Sequence, residues 1–254
     1  MPARFHVDLP LFPGQSLPLP PSAARHLQVL RMQPGDPLQV FDGSGHEWAA
    51  QVVAMGRSTV EVKILAAHEP LPELPCAVTL AVGMPANERM DALVEKATEL
   101  GVAAIQPLIC ERSVLRLNGE RADRKRAHWQ AVAVSASEQS GRATVPLIAP
   151  IRSLPAWLAG LATTGEQRAP AAGYRGLLSL RSDARPLGRW LNAASPLPQR
   201  LLFLNGPEGG LSDAEENLAR DSGFDAVGLG PRVLRADTAP LAALAWIGLL
   251  ADAA

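Results

Sequence analysis

The 254-residue chain has little that would suggest a redox, metal or membrane protein. Its two cysteines, Cys76 and Cys110, lie in apolar stretches without CxxC spacing, which predicts reduced, buried, structural thiols. No two of its five histidines have helical or zinc-finger spacing, so we expect no metal site. The apolar run near the C-terminus is too short to span a bilayer, and the first residues lack a long apolar core. We therefore expect a cytoplasmic protein.

The chain also lacks an excess of charge of either sign. Its formal net charge is −1, so the molecule as a whole does not attract nucleic acid, and any RNA site must be a local basic patch. Lysine is scarce, because only Lys63, Lys96 and Lys125 accompany the arginines among 24 basic residues. Arginine suits bidentate contacts with phosphate groups.

The most informative stretch begins at Leu201. Residues 201–204 are apolar and too few for a helix, which predicts a strand buried on both faces of a parallel sheet. The turn at 205–210 reads NGPEGG and has neither a GK[ST] ending nor the GxGxxG pattern, so it does not match a phosphate loop. Ser212 and Glu215 form a capping box for the following helix, whose acidic first turn also disfavours a phosphate.

A second strand and a second glycine turn follow in the same stretch. Residues 225–229 predict a short buried strand that leads into Gly230 and Pro231. Thr238 or Asp237 can cap the next helix, and residues 241–250 carry no charge. Because a helix that is apolar on every side must be covered on every side, we expect it to pack on its own sheet and on a second subunit.

The rest of the chain predicts two domains. Residues 1–70 are rich in proline and alternating strands, with a tight hairpin at 42–45 and a helix from Ala23 that Ser22 caps. A proline-rich linker at 68–75 follows. Strands at 76–82 and 103–109 then flank a helix at 88–100, which predicts a parallel α/β sheet within residues 71–254. Residues 150–200 indicate no chemistry.

The densest basic segment lies between Glu111 and Arg126. Arg112 is the favoured phosphate contact because it directly follows a strand, and ligands gather at the carboxyl ends of parallel strands. Residues 121–126 fit a phosphate site or a solvated helix start about equally. The helix predicted at 129–139 ends in polar residues, and Gly141 and Arg142 follow it. These residues fit either a functional site or an ordinary helix end that Gly141 closes.

Several separated blocks resemble one known family. They are RHLQVLRMQPGDPLQVFDGSG at 25–45, EKATELGV at 95–102, PLICERS at 107–113, SEQSGR at 137–142, NGPEGGLS at 205–212 and LGPRVLRADTA at 229–239. Together they are similar to the 16S ribosomal RNA uracil(1498)-N(3)-methyltransferase family of the SPOUT superfamily. The chain differs from the usual family pattern at Ala236-Asp237, where relatives carry Thr and Glu, and at Ala136, Ser137 and Ser140, where many have cysteines.

The resemblance implies an α/β fold with two domains. A small PUA-like β-barrel domain at 1–70 would bind RNA, and a SPOUT domain at 71–254 would combine a parallel sheet with a deep trefoil knot. The family binds S-adenosylmethionine (SAM) in the knot loops, pairs as a homodimer through the knotted domain, and methylates uracil N3 of 16S rRNA in the small ribosomal subunit. The chemistry needs no metal.

The resemblance and the residue pattern together give candidate site residues. Candidates for SAM binding are Leu204, Asn205, Gly206, Pro207, Glu208, Gly209, Gly210, Leu229, Gly230, Val233 and Leu234. Candidates for catalysis are Arg232 or Arg235 to stabilise a uracil anion, Glu138 or Asp237 to take the N3 proton, and Arg142 to position the base. Candidates for RNA contact are Arg4, Arg25, Arg31 and Arg112, with Arg142 acting beside them. For Arg4, Arg25 and Arg31, a solvated surface position is the alternative.

Three other functions stay open at this point. The first is a noncatalytic RNA-binding or ribosome-assembly protein with a decayed cofactor fold. The second is a SPOUT methyltransferase with another RNA target, and the third is a nucleotide-binding enzyme. The glycines at 206, 209, 210 and 230, with Arg232 and Arg235, disfavour decay. The absence of a phosphate-loop pattern disfavours the nucleotide enzyme.

Overall fold

The computed structural model describes residues 2–163, 174–193 and 196–251. Their contacts divide into two compact units. Unit 1 comprises Met1–Glu73 and Val134–Val145, and unit 2 comprises Leu74–Ala133 and Pro146–Ala254. Residues 134–145 thus belong to unit 1, whereas the predicted bounds place them in the second domain. The domain bounds 1–70 and 71–254 stay a prediction.

Unit 1 contains a five-stranded sheet and a helix in its N-terminal part. The strands are β1 Arg4–His6, β2 Ser16–Pro18, β3 Pro37–Phe41, β4 Glu47–Met55 and β5 Val60–His68, and the helix is α1 Pro21–Val29. The sheet order is β1-β3-β4-β5-β2, with β1 and β3 parallel and the other neighbours antiparallel. All five strands and α1 contribute to one buried cluster that includes Phe5, Leu17, Leu27, Val40 and Ile64. The sheet therefore curls around a single core, which confirms the predicted β-rich module.

Helix α1 begins earlier than the predicted Ala23. Pro20 is its N-cap and Pro21 its first residue, and no side chain caps it, so the predicted cap by Ser22 is wrong. Proline suits the first helical position because the N–H that it lacks would have no partner in the helix. At the other end, Arg31 has a positive φ of 56°, in the left-handed region that helix ends usually give to glycine.

The hairpin between β3 and β4 has a longer loop than predicted. Phe41 pairs with Glu47, so residues 42–46 form the loop. Asp42 stabilises it, because its Oδ1 accepts hydrogen bonds from the backbone N–H of Ser44 at 2.9 Å and from the Ser44 hydroxyl at 2.6 Å. The turn is therefore closed by a local side chain rather than by a tight backbone turn alone.

Unit 2 is built on a parallel sheet, as predicted. The strands described there are β6 Ala77–Gly83, β7 Ala104–Ile109, β8 Leu147–Ile148, β9 Arg152–Ser153, β10 Tyr174–Leu178, β11 Arg185–Pro186, β12 Arg200–Asn205 and β13 Asp225–Gly228. The order is β11-β13-β10-β12-β6-β7-β8, with β9 also paired to β7. Each of these pairs is parallel.

Helices connect the strands of unit 2. They are α2 Asn87–Glu99, α3 Gly119–Ser140, α4 Leu154–Thr163, α5 Leu187–Asn192, α6 Asp213–Asp221 and α7 Thr238–Ala251. Helix α3 runs without a break through both segments predicted at 121–126 and 129–139, and its residues from Val134 onward belong to unit 1. Helix α6 begins with the predicted capping box, in which Ser212 and Glu215 exchange hydrogen bonds.

Strand β12 occupies the middle of the sheet, between β10 and β6. Its residues Leu201, Phe203 and Leu204 are buried, which confirms the predicted core strand. Gly176 of β10 lies against Phe203, and a Cβ at that position would be only 3.0 Å from the ring. Because neighbouring strands are parallel, the carboxyl ends of β10, β12 and β13 meet at one edge of the sheet, where a ligand is expected.

Both cysteines are free and buried, as predicted. Burial raises the pKa of the Cys76 thiol to about 11 and that of Cys110 to about 12, so both stay protonated at neutral pH. Across the described ranges, no helix is long and apolar enough to cross a membrane. Within the same residues, potential metal ligands do not gather in groups of three or more. The trefoil knot stays a prediction.

Candidate active site

A cavity of about 700 Å³ lies at the carboxyl edge of the unit 2 sheet. Three segments supply most of its lining: residues 177–181 at the end of β10, residues 205–211 at the end of β12, and residues between 227 and 239 at the end of β13 and beyond it. Arg89 and Glu216 add charged side chains from α2 and α6. The cavity therefore lies where parallel-sheet geometry predicts a ligand.

Most of the predicted SAM-binding residues line this cavity. They are Asn205, Gly206, Pro207, Glu208, Gly209, Gly210, Leu229, Gly230, Val233 and Leu234. Leu204 differs, because its side chain is fully buried in the core. Arg232 and Arg235 also line the cavity and are exposed. Asp237 lies in the same loop, with its Oδ1 buried and unpaired within the described residues.

Asn205 joins two of the lining segments. Its Nδ2 donates hydrogen bonds to the carbonyl oxygens of Gly206 at 3.1 Å and Ala236 at 2.9 Å, which fixes the orientation of the amide. The Oδ1 atom then points the other way, and it is buried without a hydrogen-bond partner in the part of the chain that the structure describes. A buried amide oxygen without a donor costs about 1–3 kcal/mol. A ligand with an N–H or O–H group would satisfy it.

The turn after β12 needs glycine for close backbone packing. A Cβ on Gly206 would lie 2.7 Å from the Leu211 nitrogen, and a Cβ on Gly83 of β6 would lie 2.6 Å from Pro207. Gly210 has a positive φ of 69°, which a residue with a side chain rarely adopts. Gly83 and Gly206 therefore let the turn pack closely against its own protein neighbours.

Two charged side chains hold the turn, Arg112 from outside the cavity and Glu208 from the turn itself. Arg112, just after β7, donates from Nη1 to the carbonyl oxygens of Gly209 at 3.0 Å and Leu211 at 3.3 Å. Glu208 accepts the backbone N–H of Ala86 at 3.0 Å. Ala86 is the N-cap of α2 and has no cap from its own side chain, so Glu208 supplies one. Arg112 was predicted as a phosphate contact, but the structure gives its guanidinium partners in the protein.

The segment after β10 was missed in the sequence. Ser179 and Arg181 line the cavity together with Glu216, whose Oε1 accepts the Ser179 hydroxyl at 2.8 Å and lies 3.9 Å from Arg181 Nε. Arg220 pairs with Asp183 at 2.8 Å beside them and lowers the pKa of that carboxyl. The sequence of β10 predicts a strand only weakly and does not show that this strand lies directly beside β12 in the sheet.

Glu138 of unit 1 has the environment of a titratable functional group. It is half-buried, and its Oε1 accepts the backbone N–H of His6 at 3.0 Å. Burial raises the pKa of the Glu138 carboxyl, and this hydrogen bond only partly offsets the effect. Glu138 belongs to unit 1, whereas Arg232 and Arg235 belong to unit 2.

Arg4 and Arg142 have internal partners in unit 1. Arg4 is 8% exposed, pairs with Glu47 at 3.0 Å, and donates to the carbonyl oxygens of Ser137, Glu138 and Arg142 at the end of α3. Arg142 is 7% exposed and pairs with Glu73 at 2.6 Å. A buried guanidinium that is already paired cannot also reach a phosphate without breaking those bonds. The structure therefore gives Arg4 a helix-capping role, and its RNA contact stays a prediction.

Arg25 and Arg31, which were also predicted for RNA contact, differ from Arg4. Arg25 lies on the exposed face of α1, and Arg31 is exposed just after that helix. Arg31 is the only non-glycine residue with positive φ in the described ranges. That conformation costs about 1 kcal/mol relative to glycine, so the local backbone favours glycine at this position.

Comparisons with known proteins match both units. A family model described as an RNA methyltransferase domain matches residues 72–248, and one described as an RNA methyltransferase PUA domain matches residues 19–65. A protein of Synechocystis sp. named ribosomal RNA small subunit methyltransferase E is 36% identical over 89% of this chain and 70% of its own. A protein of the same name from Bacillus subtilis is 31% identical over 87% of this chain and 84% of its own.

Two solved structures of methyltransferases have a fold similar to that of this chain. The ribosomal RNA small subunit methyltransferase E of Neisseria gonorrhoeae, bound to S-adenosylmethionine, has a TM-score of 0.86 and 36% identity, with 98% of each chain covered. A putative methyltransferase of Legionella pneumophila in complex with SAM has a TM-score of 0.87 and 31% identity, also with 98% of each chain covered.

Proposed function

This chain belongs to the RNA methyltransferase family whose domain model covers residues 72–248, and we propose that it methylates N3 of uracil 1498 in 16S rRNA of the small ribosomal subunit. It is an S-adenosylmethionine-dependent ribosomal RNA methyltransferase. The uracil base, its position in 16S rRNA and the assembled subunit as substrate are proposed. The observation that carries it is the cavity at the ends of β10, β12 and β13, in a chain of this family.

The residues at the cavity fit SAM. Asn205 Oδ1 has no hydrogen-bond donor within the described residues. The amino groups and ribose hydroxyls of SAM are donors of the kind that this oxygen accepts. Apolar side chains such as Leu178, Leu229 and Leu234 suit the adenine ring. We expect residues 205–210 and 229–234 to hold the cofactor. When bound, it supplies a methyl group made electrophilic by its sulfonium.

The protein must remove or replace the N3 proton and stabilise the negative charge that develops on uracil. Arg232 and Arg235 are proposed for the charge, since both line the cavity and are exposed. Glu138 or Asp237 is proposed for the proton. A raised pKa supports Glu138, because a base works best when its pKa approaches the working pH. A buried, unpaired Oδ1 supports Asp237.

The proposed contacts with the RNA phosphates lie in unit 1. The PUA model covers α1 and most of the sheet, and Arg25 and Arg31 are exposed there. With a net charge of −1, affinity for RNA must come from such local arginines. A uracil in folded rRNA must leave its stack to be methylated, which favours the assembled small subunit as the substrate.

We further propose a homodimer. Helix α7 carries no charged residue, and its buried side chains Ala243, Leu244 and Ile247 form one face. Trp246 and Leu249 form another and are 47% and 70% exposed. A second copy of the chain would cover this apolar surface.

The proposed activity can be tested on ribosomal particles from cells that lack the modification. Purified protein and SAM labelled with tritium in the methyl group are incubated with 30S particles, naked 16S rRNA and an oligonucleotide that carries the target sequence. We expect label chiefly in 30S particles, recovered as N3-methyluridine, and a new stop of reverse transcription at position 1498. Label at another nucleotide would indicate a different RNA target. No methyl transfer to any RNA would contradict the proposal and favour a noncatalytic binding protein.

A further inference from the structure

We infer that Arg112 is a positioning residue for the SAM-binding turn and acts on cofactor affinity through the backbone of residues 209–211. The inference rests on the proposed cofactor site and concerns a residue outside the cavity lining. It also assigns to Arg112 a role different from the phosphate contact that its place in a basic segment suggests.

The contacts of Arg112 are directed at the turn itself. Its Nη1 donates to the carbonyl oxygens of Gly209 and Leu211, and both of these residues line the cavity. The stem of the side chain is equally close, since a Cβ on Gly209 would lie 3.1 Å from the Cβ of Arg112. The guanidinium of Arg112 therefore binds the carbonyl oxygens of the turn, and its aliphatic part packs against Gly209.

Glu215 makes the matching contact in the opposite direction. It is 7% exposed, its Oε1 accepts the backbone N–H of Glu111 at 2.8 Å, and its Oε2 accepts the N–H of Ser212 at 3.0 Å. The residue before Arg112 is thus tied to the start of α6, just after the turn. Segment 111–112 and segment 209–215 are joined by side-chain hydrogen bonds from each side.

These contacts should matter more for binding than for folding. A turn with glycines at 206, 209 and 210 has many conformations when unrestrained, and ordering it at the moment of binding lowers affinity. Arg112 is exposed and lies outside the sheet core, so its loss leaves the main packing intact. Hydrogen bonds from a charged donor are worth more than neutral ones, and two of them restrain this turn.

The experiment compares Arg112→Ala and Arg112→Lys with Arg121→Ala, which removes the same charge from an exposed position on α3. SAM affinity is measured by calorimetry, RNA affinity as a function of salt by filter binding, and stability by thermal unfolding. We expect Arg112→Ala to raise the Kd for SAM about tenfold and to raise KM for SAM, with kcat at saturating SAM, the RNA salt slope and Tm close to wild type. Arg112→Lys should recover part of the affinity, and Arg121→Ala should match wild type in SAM binding.

Other outcomes would overturn the inference. Unchanged SAM affinity in Arg112→Ala, with the RNA salt slope lowered by about one unit, would assign Arg112 to a phosphate. A large fall in Tm that Arg112→Lys does not reverse would assign it to folding alone. If the wild-type protein binds no SAM, the proposed function fails together with this inference. If wild type and Arg112→Ala bind SAM equally well, only the inference fails.

Discussion

The side-chain amide of Asn205 donates a hydrogen bond of 2.9 Å to the carbonyl oxygen of Ala236. This contact joins the turn after β12 to the loop after β13, across 31 residues of sequence. Asn205 also lines the cavity, and its Oδ1 is buried without a hydrogen-bond partner in the part of the chain that the structure describes.

Changing Asn205 to Asp should damage the site. The carboxylate cannot donate to the carbonyl oxygens of Gly206 and Ala236 and is repelled by both, so we expect a loss of about 1–3 kcal/mol in unfolding free energy. The Kd for SAM should rise at least about tenfold, measured by calorimetry on folded protein. Asn217→Asp, the same change at an exposed position of α6, is the control. Wild-type SAM affinity in Asn205→Asp would rule out this role.

Changing Arg31 to Gly should separate stability from RNA binding. Glycine relieves the positive φ at this position, so we expect unfolding free energy to rise by about 0.5–1 kcal/mol. RNA affinity should fall, and the salt slope should decrease by about one unit. Arg25→Gly removes the same charge from the middle of α1 and should instead destabilise the protein by about 1 kcal/mol. Unchanged RNA binding in Arg31→Gly would mean that Arg31 does not contact RNA.

The raised pKa of Glu138 predicts a pH-dependent stability. The folded state holds this proton more tightly than the unfolded state, whose carboxyl titrates near 4.5, so stability falls as pH rises from about that value through the higher folded pKa. Glu138→Gln keeps an acceptor for the His6 N–H and removes the charge. We expect its Tm to exceed that of wild type at pH 7.5 and the difference to shrink toward pH 4.5.

The same variant tests the proposed catalytic role. If Glu138 takes the N3 proton, kcat should fall by about 10²- to 10⁴-fold in Glu138→Gln although the protein is more stable. Glu61→Gln, at an exposed position of β5, controls for the loss of one carboxylate. Full activity in Glu138→Gln would leave Asp237 as the candidate base. A Tm difference independent of pH would contradict the titration itself.

The proposed dimer predicts a specific effect at Leu249. A lysine there places a charge on the exposed apolar face of α7, which should make the protein monomeric at about 10 μM in sedimentation velocity while wild type is dimeric. Val114→Lys makes the same change at a position that is 83% exposed elsewhere in unit 2 and should stay dimeric. A monomeric wild type that still binds SAM would contradict the dimer.

The sequence by itself determined the local elements around the turn at 205–210. The apolar run before Asn205, the glycines after it and the capping box at Ser212 act over a few residues, so their pattern predicts β12, the turn and α6 directly. The uncharged segment after Asp237 likewise predicts α7. These signals depend on backbone conformation and burial, which neighbouring residues largely set.

Only the tertiary structure decided what the arginines and the weak strand do. A guanidinium looks the same in the sequence whether it meets a phosphate, a carboxylate or a carbonyl oxygen. Its partner is chosen by residues brought close across about a hundred positions, as with Arg112 and Gly209 or Arg4 and Ser137. Sheet order likewise placed Arg181 at the cavity, because β10 lies beside β12 although the intervening sequence gives no sign of it. Strand pairing is a long-range property, and no local pattern encodes which strand becomes a neighbour.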